Sequence, residues 1–192
     1  MLAAGASSRL GEPKQLLQYN GKSLLAHMVQ TASSSDAGVV IIVLGYNADL
    51  LIKEVDEEKA RLVINTNWKE GMASSIVCGV NALTEMAPSA DAVILMTCDQ
   101  PHVTASLLDD LMATQQETGK KIVVSSYDNT IGPPALFHKD IFPELLQLKG
   151  DVGARSIIQQ FPDEVAPVPF ENGGIDIDTA NDYEKLLNAT GK

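Results

Sequence analysis

The sequence predicts an α/β domain in which a mostly parallel central sheet carries helices on both faces. Three observations lead there. Short apolar runs such as Val39–Leu44, Ala92–Cys98 and Ile122–Ser126 lack the polar alternation of a half-exposed strand. Longer amphipathic stretches separate them, near Ser23–Ser33, Ser74–Met86 and Thr104–Thr118. The regular strand–helix exchange implies crossover connections and therefore parallel pairing. A chain of 192 residues closes one substantial core, so a single domain over 1–192 is expected.

Taken in order, Met1–Ala4 reads as the first strand. It is shorter than the ~5–6 residues usual for a strand, so a few further residues ahead of Met1 are expected. The helix near Ser23–Ser33 follows, then the buried strand Val39–Leu44 with a turn at Gly45-Tyr46-Asn47, and a short strand Leu62–Ile64. The Ser74–Met86 helix leads to Ala92–Cys98, the clearest central strand, and Thr104–Thr118 to the strand Ile122–Ser126. Gly132-Pro133-Pro134 is expected to break the chain. Helices near His138–Leu148 and Val152–Phe161, short strands and a last helix from Thr179 complete the pattern. No repeat or low-complexity tract interrupts it.

Composition narrows function. Fourteen Lys and Arg against 25 Asp and Glu leave a net charge of −11, which excludes a general nucleic-acid surface. No apolar run approaches the ~18 residues that span a bilayer. The opening Met1-Leu2-Ala3-Ala4-Gly5 lacks the basic start and apolar stretch of a secretory signal. A cytoplasmic protein without membrane contact is the expectation. Cys78 and Cys98 form no C-x-x-C motif and read as two buried free thiols of a reducing compartment. Of the histidines, His27 and His138 read as structural, and His102 lies close to Asp99. So acidic a chain must hold an anionic ligand with local cations, backbone N–H groups or a divalent metal.

Three segments carry that chemistry. In Leu2-Ala3-Ala4-Gly5-Ala6-Ser7-Ser8-Arg9-Leu10-Gly11-Glu12-Pro13-Lys14 a strand gives way to a loop of small residues ending in two cations. Small side chains let phosphate oxygens reach consecutive N–H groups, Arg9 offers a planar fork and Lys14 a mobile charge. Neither G-x-x-x-x-G-K nor G-x-G-x-x-G is present, Ser7 occupying the second glycine position of the latter. A solvated surface turn accounts for the composition equally well. Asp99 directly follows the strand Ala92–Cys98, where open α/β sheets bind ligands; one such carboxylate beside substrate phosphates suits Mg²⁺. A helix cap is the bland alternative, but Thr104 sits better for it. Asp176-Ile177-Asp178-Thr179 opens the last helix, with Thr179 and Asp182 spaced as a capping box. Capping leaves Asp176 and Asp178 unexplained, and alternation puts both on one face. Gly71–Ile76 and Lys149–Arg155 each open a helix and read either as ligand contacts or as capped helix starts.

In this order and spacing the segments, together with Gly132-Pro133-Pro134-Ala135-Leu136-Phe137, resemble the molybdenum-cofactor nucleotidyltransferases of the MobA/MocA-like NTP transferase family, in particular the cytidylyltransferase branch. The resemblance covers nearly the whole chain. It implies a Rossmann-like nucleotidyltransferase fold with one strand running against the rest. It implies CTP and molybdopterin-bound molybdenum cofactor as substrates, pyrophosphate as a product, Mg²⁺ as cofactor and a recipient molybdoenzyme as a partner. By that resemblance Leu2, Ala3, Ala4, Gly5, Ala6, Ser7, Ser8, Arg9 and Lys14 surround the triphosphate, Arg9, Lys14 and Asp99 being catalytic. Asp99 and Asp178 hold the metal; Ser74, Ser75 and Gly79 border the base and ribose; Asp151 and Arg155 face the pterin. Leu10, Ala73 and Ala180 stand where the family often has Met, Ser and Pro. Ala4 stands where guanine-using relatives have glycine, which favours CTP. Rival readings are a GTP or sugar-phosphate transferase of the same fold, and a non-catalytic cofactor-binding chaperone. Joint retention of Lys14, Asp99 and Asp178 argues against the chaperone.

Overall fold

The computed structural model describes residues 1–56 and 58–189. Its sheet is assembled from two blocks. Strands β1 (Leu2–Ala3), β4 (Ile41–Leu44) and β5 (Arg61–Ile64) pair in parallel in the order β1-β4-β5, with Leu2 opposite Val43 and Ile41 opposite Arg61. Strands β6 (Ala92–Leu95), β7 (Ile122–Tyr127), β8 (Thr130–His138) and β9 (Val165–Pro169) pair in the order β6-β8-β7-β9. A parallel bridge between Leu2 and Thr97 joins the blocks through β1. Within the second block β8 runs antiparallel to β6 and β7, whereas β7 and β9 are parallel. The mostly parallel sheet and its single reversed strand are those that the resemblance implies. A small antiparallel hairpin, β2 (Gln18–Tyr19) with β3 (Lys22–Ser23), lies outside the sheet.

Helices cover both faces, as the apolar runs require. On one face α1 (Leu24–Ser33), α4 (Ala105–Thr118) and α7 (Ala180–Ala189) bury Leu25, Met28, Leu108, Leu111 and Leu186. On the other, α3 (Met72–Met86), α5 (Phe142–Leu145) and α6 (Arg155–Gln160) bury Ile76, Val80, Leu145 and Ile157 around Phe137. The short α2 (Ala48–Leu51) follows β4. Ser23 and Thr104 cap α1 and α4, their side chains accepting from the N–H of Ala26 at 3.2 Å and Leu107 at 3.1 Å. Gly119 closes α4 in the left-handed conformation at φ +65°. No helix among the described residues is long and apolar enough to cross a membrane.

Five expectations need correction. Gly132-Pro133-Pro134 does not break the chain but lies inside β8. The register against β7 steps there, from Val124↔Ala135 to Ser125↔Gly132, so Pro133 and Pro134 fall in a bulge where a missing N–H costs no ladder bond. The helix expected over His138–Leu148 is a 3₁₀ turn, Lys139–Ile141, followed by α5, because β8 runs on through His138. The strand expected over Ala92–Cys98 keeps ladder pairing only to Leu95, and Val39–Leu44 pairs only from Ile41. Of the two thiols Cys98 is buried, whereas Cys78 is half-exposed.

Candidate active site

The loop after β1 is held from inside. Gln15, 1% exposed, donates Nε2 to the carbonyls of Ala3 at 2.9 Å and Gly5 at 3.2 Å. Ser7 takes a left-handed φ of +51°; its carbonyl accepts from Leu10 and Gly11 N–H, and its hydroxyl from Lys14 N–H at 3.1 Å. Leu2 and Ala3 belong to the sheet and pack into the two cores. Gly5, Ser8 and Arg9 are exposed, and nothing stands within 4 Å of where a Gly5 Cβ would project. The small residues therefore present open backbone, the condition for close approach of phosphate oxygens.

Arg9 and Lys14 meet the carboxylates of two other segments. Lys14 Nζ lies 2.6 Å from Asp99 Oδ2 and 3.1 Å from Asp178 Oδ1, and Arg9 Nη2 lies 2.8 Å from Asp178 Oδ2. Lys14 and Asp99 are largely enclosed and Asp178 is 35% exposed, but the Arg9 side chain is 71% exposed. The Asp176–Asp178 segment is fixed by Ile177, fully buried, whose N–H donates to the Asp99 carbonyl at 2.9 Å. Gln100, also buried, donates to the Gly173 carbonyl at 3.2 Å and leaves its own Oε1 without a partner. Past Asp178 the capping box closes, Thr179 N–H donating to Asp182 at 2.9 Å and Asp182 N–H to Thr179 at 3.3 Å.

These charges shape one another. Burial works to lower the Lys14 pKa, but the Asp99 charge and the hydrogen bonds to Asp99 and Asp178 outweigh it and the net shift is upward. Asp176 is pushed up to about 6, by burial first and the Asp99 charge second. Burial, then the neighbouring Asp99, drives the Cys98 thiol up to about 12, so it stays protonated and inert.

A divalent cation fits this donor set. Asp99 and Asp178 are hard oxygen donors that flank Lys14. No three His, Cys, Asp or Glu side chains form a metal cage among the described residues. Magnesium does not require one, since it takes one or two carboxylates and draws its other ligands from water and phosphate.

The remaining predicted residues fall on either side of this centre. Ala4 is 5% exposed, and its methyl packs on Gly45, where an added Cβ would lie 2.9 Å from it and 2.7 Å from Trp68 Cβ. Tyr46 meets the Trp68 ring edge-on at 5.5 Å. Ser74 and Ser75 accept from Asn65 Nδ2 at 2.8 and 3.0 Å, Ser75 being buried. Gly79 lies on α3 against Val43, where a Cβ would sit 3.1 Å from Cγ2. Gly71 (φ +106°) stacks on Gly150 and Asp151, bringing together two loops that sequence reading kept apart. Arg155 donates to Thr130 Oγ1 at 3.2 Å on the rim of an apolar cavity of about 230 Å³ lined by Met72, Tyr127, Ile131 and Ile158. A Cβ at Gly173 would fall 2.1 Å from the Tyr127 ring and one at Gly132 would fall 2.2 Å from its hydroxyl oxygen. His27 points to the Pro101 carbonyl at 3.3 Å, consistent with a structural role. Sequence reading missed Gln15, Asn65 and Tyr127. Each acts through burial or a long-range partner, which nothing local in the sequence signals.

An open α/β sheet with a backbone-lined loop at one strand end and carboxylates at the next defines a nucleotide-handling protein. The chain belongs to the MobA-like NTP transferase family, whose domain model matches residues 1–165. It is 29% identical over 198 residues to the nicotine blue oxidoreductase of Paenarthrobacter nicotinovorans, covering 97% of this chain and 94% of that protein. Among solved structures it superposes on the homologue of Mycobacterium tuberculosis Rv0371c from Mycobacterium sp. strain JC1 with a TM-score of 0.83 at 33% identity, covering 98% and 93% of the two chains. Rv0371c of M. tuberculosis H37Rv, solved in complex with manganese, matches with a TM-score of 0.79 at 27% identity over 98% and 96%.

Proposed function

We propose that the protein transfers CMP from CTP to the phosphate of molybdopterin-bound molybdenum cofactor and releases pyrophosphate. The observation that carries this reading is the convergence of Arg9 and Lys14 on Asp99 and Asp178 beside an open small-residue loop. The backbone of Gly5–Arg9 and the two cations hold the triphosphate. A phosphate oxygen of the acceptor attacks the α-phosphorus in line, and the bond from that phosphorus to the pyrophosphate oxygen breaks. Lys14 follows the charge that grows on the leaving group, and no protein nucleophile is needed. When bound at Asp99 and Asp178, Mg²⁺ or Mn²⁺ neutralises charge at the reacting phosphate. The Arg155-rimmed apolar cavity is the acceptor side, its cation suited to an anionic group and its walls to a flat ring. The preference for CTP over GTP rests on the resemblance at Ala4, whose methyl packs on Gly45.

Incubation with each of the four NTPs, Mg²⁺ and molybdenum cofactor, with products identified by mass, tests the proposal. Cytosine dinucleotide with stoichiometric pyrophosphate is expected. Guanine dinucleotide as the main product would overturn the base assignment alone. Cofactor retained without any product would favour the chaperone reading. The name of the Paenarthrobacter relative favours a redox reading. The chain lacks the G-x-G-x-x-G fingerprint of dinucleotide-binding oxidoreductases, and consumption of NADH or NADPH in place of pyrophosphate release would support that reading.

A further inference from the structure

A polar network that sheet pairing does not need joins the end of β5 to α3. Asn65 follows Ile64, the last residue of β5, and its N–H donates to the Leu44 carbonyl at 2.8 Å. Its side chain reaches the first turns of α3. The Asn67 N–H donates to Asn65 Oδ1 at 2.9 Å, which fixes the amide orientation: the oxygen faces the loop and Nδ2 faces the helix. Both Nδ2 hydrogens are used there, on Ser74 Oγ at 2.8 Å and Ser75 Oγ at 3.0 Å.

The two hydroxyls then differ. Ser74 has the carbonyls of Gly71 at 2.8 Å and Asn67 at 3.0 Å as acceptors for its own proton. Ser75 accepts from Asn65 and, among the described residues, donates to none, although it is only 6% exposed. A hydroxyl brings one donor and two lone pairs, and a buried donor left unused costs free energy until something accepts from it. The helix shows which end of the sheet this donor occupies. Ser75 and Gly79 lie one turn apart on one face of α3, and that face meets β4, a Cβ at Gly79 falling 3.1 Å from Val43 Cγ2. Held to the residue after β5, Ser75 stands at the carboxyl ends of β4 and β5. Both strands run parallel to β1, so this is also the end from which the Ala4–Arg9 loop leaves the sheet.

We propose that Asn65 is a positioning residue of the nucleotide site: by filling a lone pair of Ser75 it makes that hydroxyl a hydrogen-bond donor to an acceptor atom of the bound nucleoside. A carbonyl or unprotonated ring nitrogen of cytosine meets that requirement, and a ribose oxygen has the same chemistry. Ser74, its proton already committed, ties the Asn65–Gly71 segment to α3 instead. The inference rests on the nucleotide site of the proposed reaction and adds to it the residue that sets the polarity of the Ser75 contact.

Asn65→Asp tests this, because a carboxylate accepts where Nδ2 donates: Ser75 then gives its proton to it and keeps only lone pairs for the ligand. Calorimetric titration of CTP in the presence of Mg²⁺ should show binding weakened by on the order of tenfold in Asn65→Asp and in Ser75→Ala, with no further loss when the two are combined. Losses that multiply in the double variant would mean repulsion between the new charge and the triphosphate, and would overturn the proposal. Unchanged affinity in Ser75→Ala would overturn it too, and that variant decides the matter alone should Asn65→Asp not fold. With 2′-deoxy-CTP, persistence of the coupling between the two positions would assign the acceptor atom to the base and its loss would assign it to the ribose; Ser75 is the donor in either case. Binding is read without turnover, so a lack of CMP transfer to molybdenum cofactor would sink the proposed reaction and leave this result standing. A chain that binds no CTP would overturn both.

Discussion

At the scale of single residues, the proposed reaction rests most heavily on Asp99. Asp99→Asn keeps the shape and removes the charge, and should lower turnover by on the order of 10²-fold or more with the melting temperature little changed. Near-normal turnover would remove Asp99 from the mechanism. Arg9 and Lys14 divide the work by exposure. Arg9 is solvated and, among the described residues, pairs with Asp178, so Arg9→Ala should weaken CTP binding more than turnover. Lys14 is enclosed and touches both carboxylates, so Lys14→Ala should lower kcat more than affinity; calorimetry and steady-state rates on the pair separate the two effects. Ala4 argues for restraint: its methyl is spent on Gly45 and scarcely exposed. Ala4→Gly should therefore raise use of GTP modestly, within the ~1–3 kcal/mol that one methyl discriminates. Equal CTP and GTP in competition, with both products quantified, measures it.

At the scale of elements, what the sequence made legible were the features with local causes. The caps at Thr104 and Thr179 and the apolar runs of β4, β6 and β7 all read directly from their own residues. Strand β8 did not, because Pro133 and Pro134 look like a break until β7 supplies a register step to hold them. Nor did the packing of Gly71 on Asp151, since residues distant in the chain must meet for those loops to become one wall. The Met1 amine gives this scale its own prediction. Its folded pKa, lowered by burial to about 5, lies below the ordinary 8.0, so between those values the unfolded chain binds the extra proton and stability climbs with pH. Three units correspond to on the order of 4 kcal/mol. Asp176, raised to about 6 from 3.8, acts in the opposite sense at lower pH, and His27 and His102, their pKa lowered from 6.5 by burial, add to the rise up to about pH 7, so the amine's own share is read between about pH 7 and 8. The urea midpoint should rise across that window for a chain that starts at Met1, and acetylating the amine should flatten the rise.

At the scale of the whole molecule, the net charge of −11 and the chemistry of a tetra-anionic nucleotide are reconciled by position. The cations that matter come from one loop, and the carboxylates that answer them come from the segment after β6 at Asp99 and the turn that opens α7 at Asp178, brought together only by the fold. Long-range repulsion between protein and nucleotide should slow association, and moderate salt should relieve it. Stopped-flow CTP binding at 20 and 150 mM salt is expected to give a weaker salt dependence than a basic nucleotide site shows, or a reversed one. A steep loss of rate with salt would mean that attraction by Arg9 and Lys14 dominates at a distance.

The ion pairs among Arg9, Lys14, Asp99 and Asp178 also set the order in which ligands can arrive. Each of the two carboxylates is paired with a cation and each cation with a carboxylate, so the centre resembles a closed clasp. A bare divalent ion must evict Lys14 to reach the aspartates, and bare CTP must draw Lys14 away and leave two carboxylates facing its phosphates. Each alone works against the clasp; together they replace every contact that they break. Metal and nucleotide should therefore bind with positive coupling, which thermodynamics makes equal in both directions. Titrating Mn²⁺ with and without CTP, and CTP with and without Mn²⁺, should return the same factor of enhancement, and the Lys14→Ala variant should lose much of it by leaving nothing to displace.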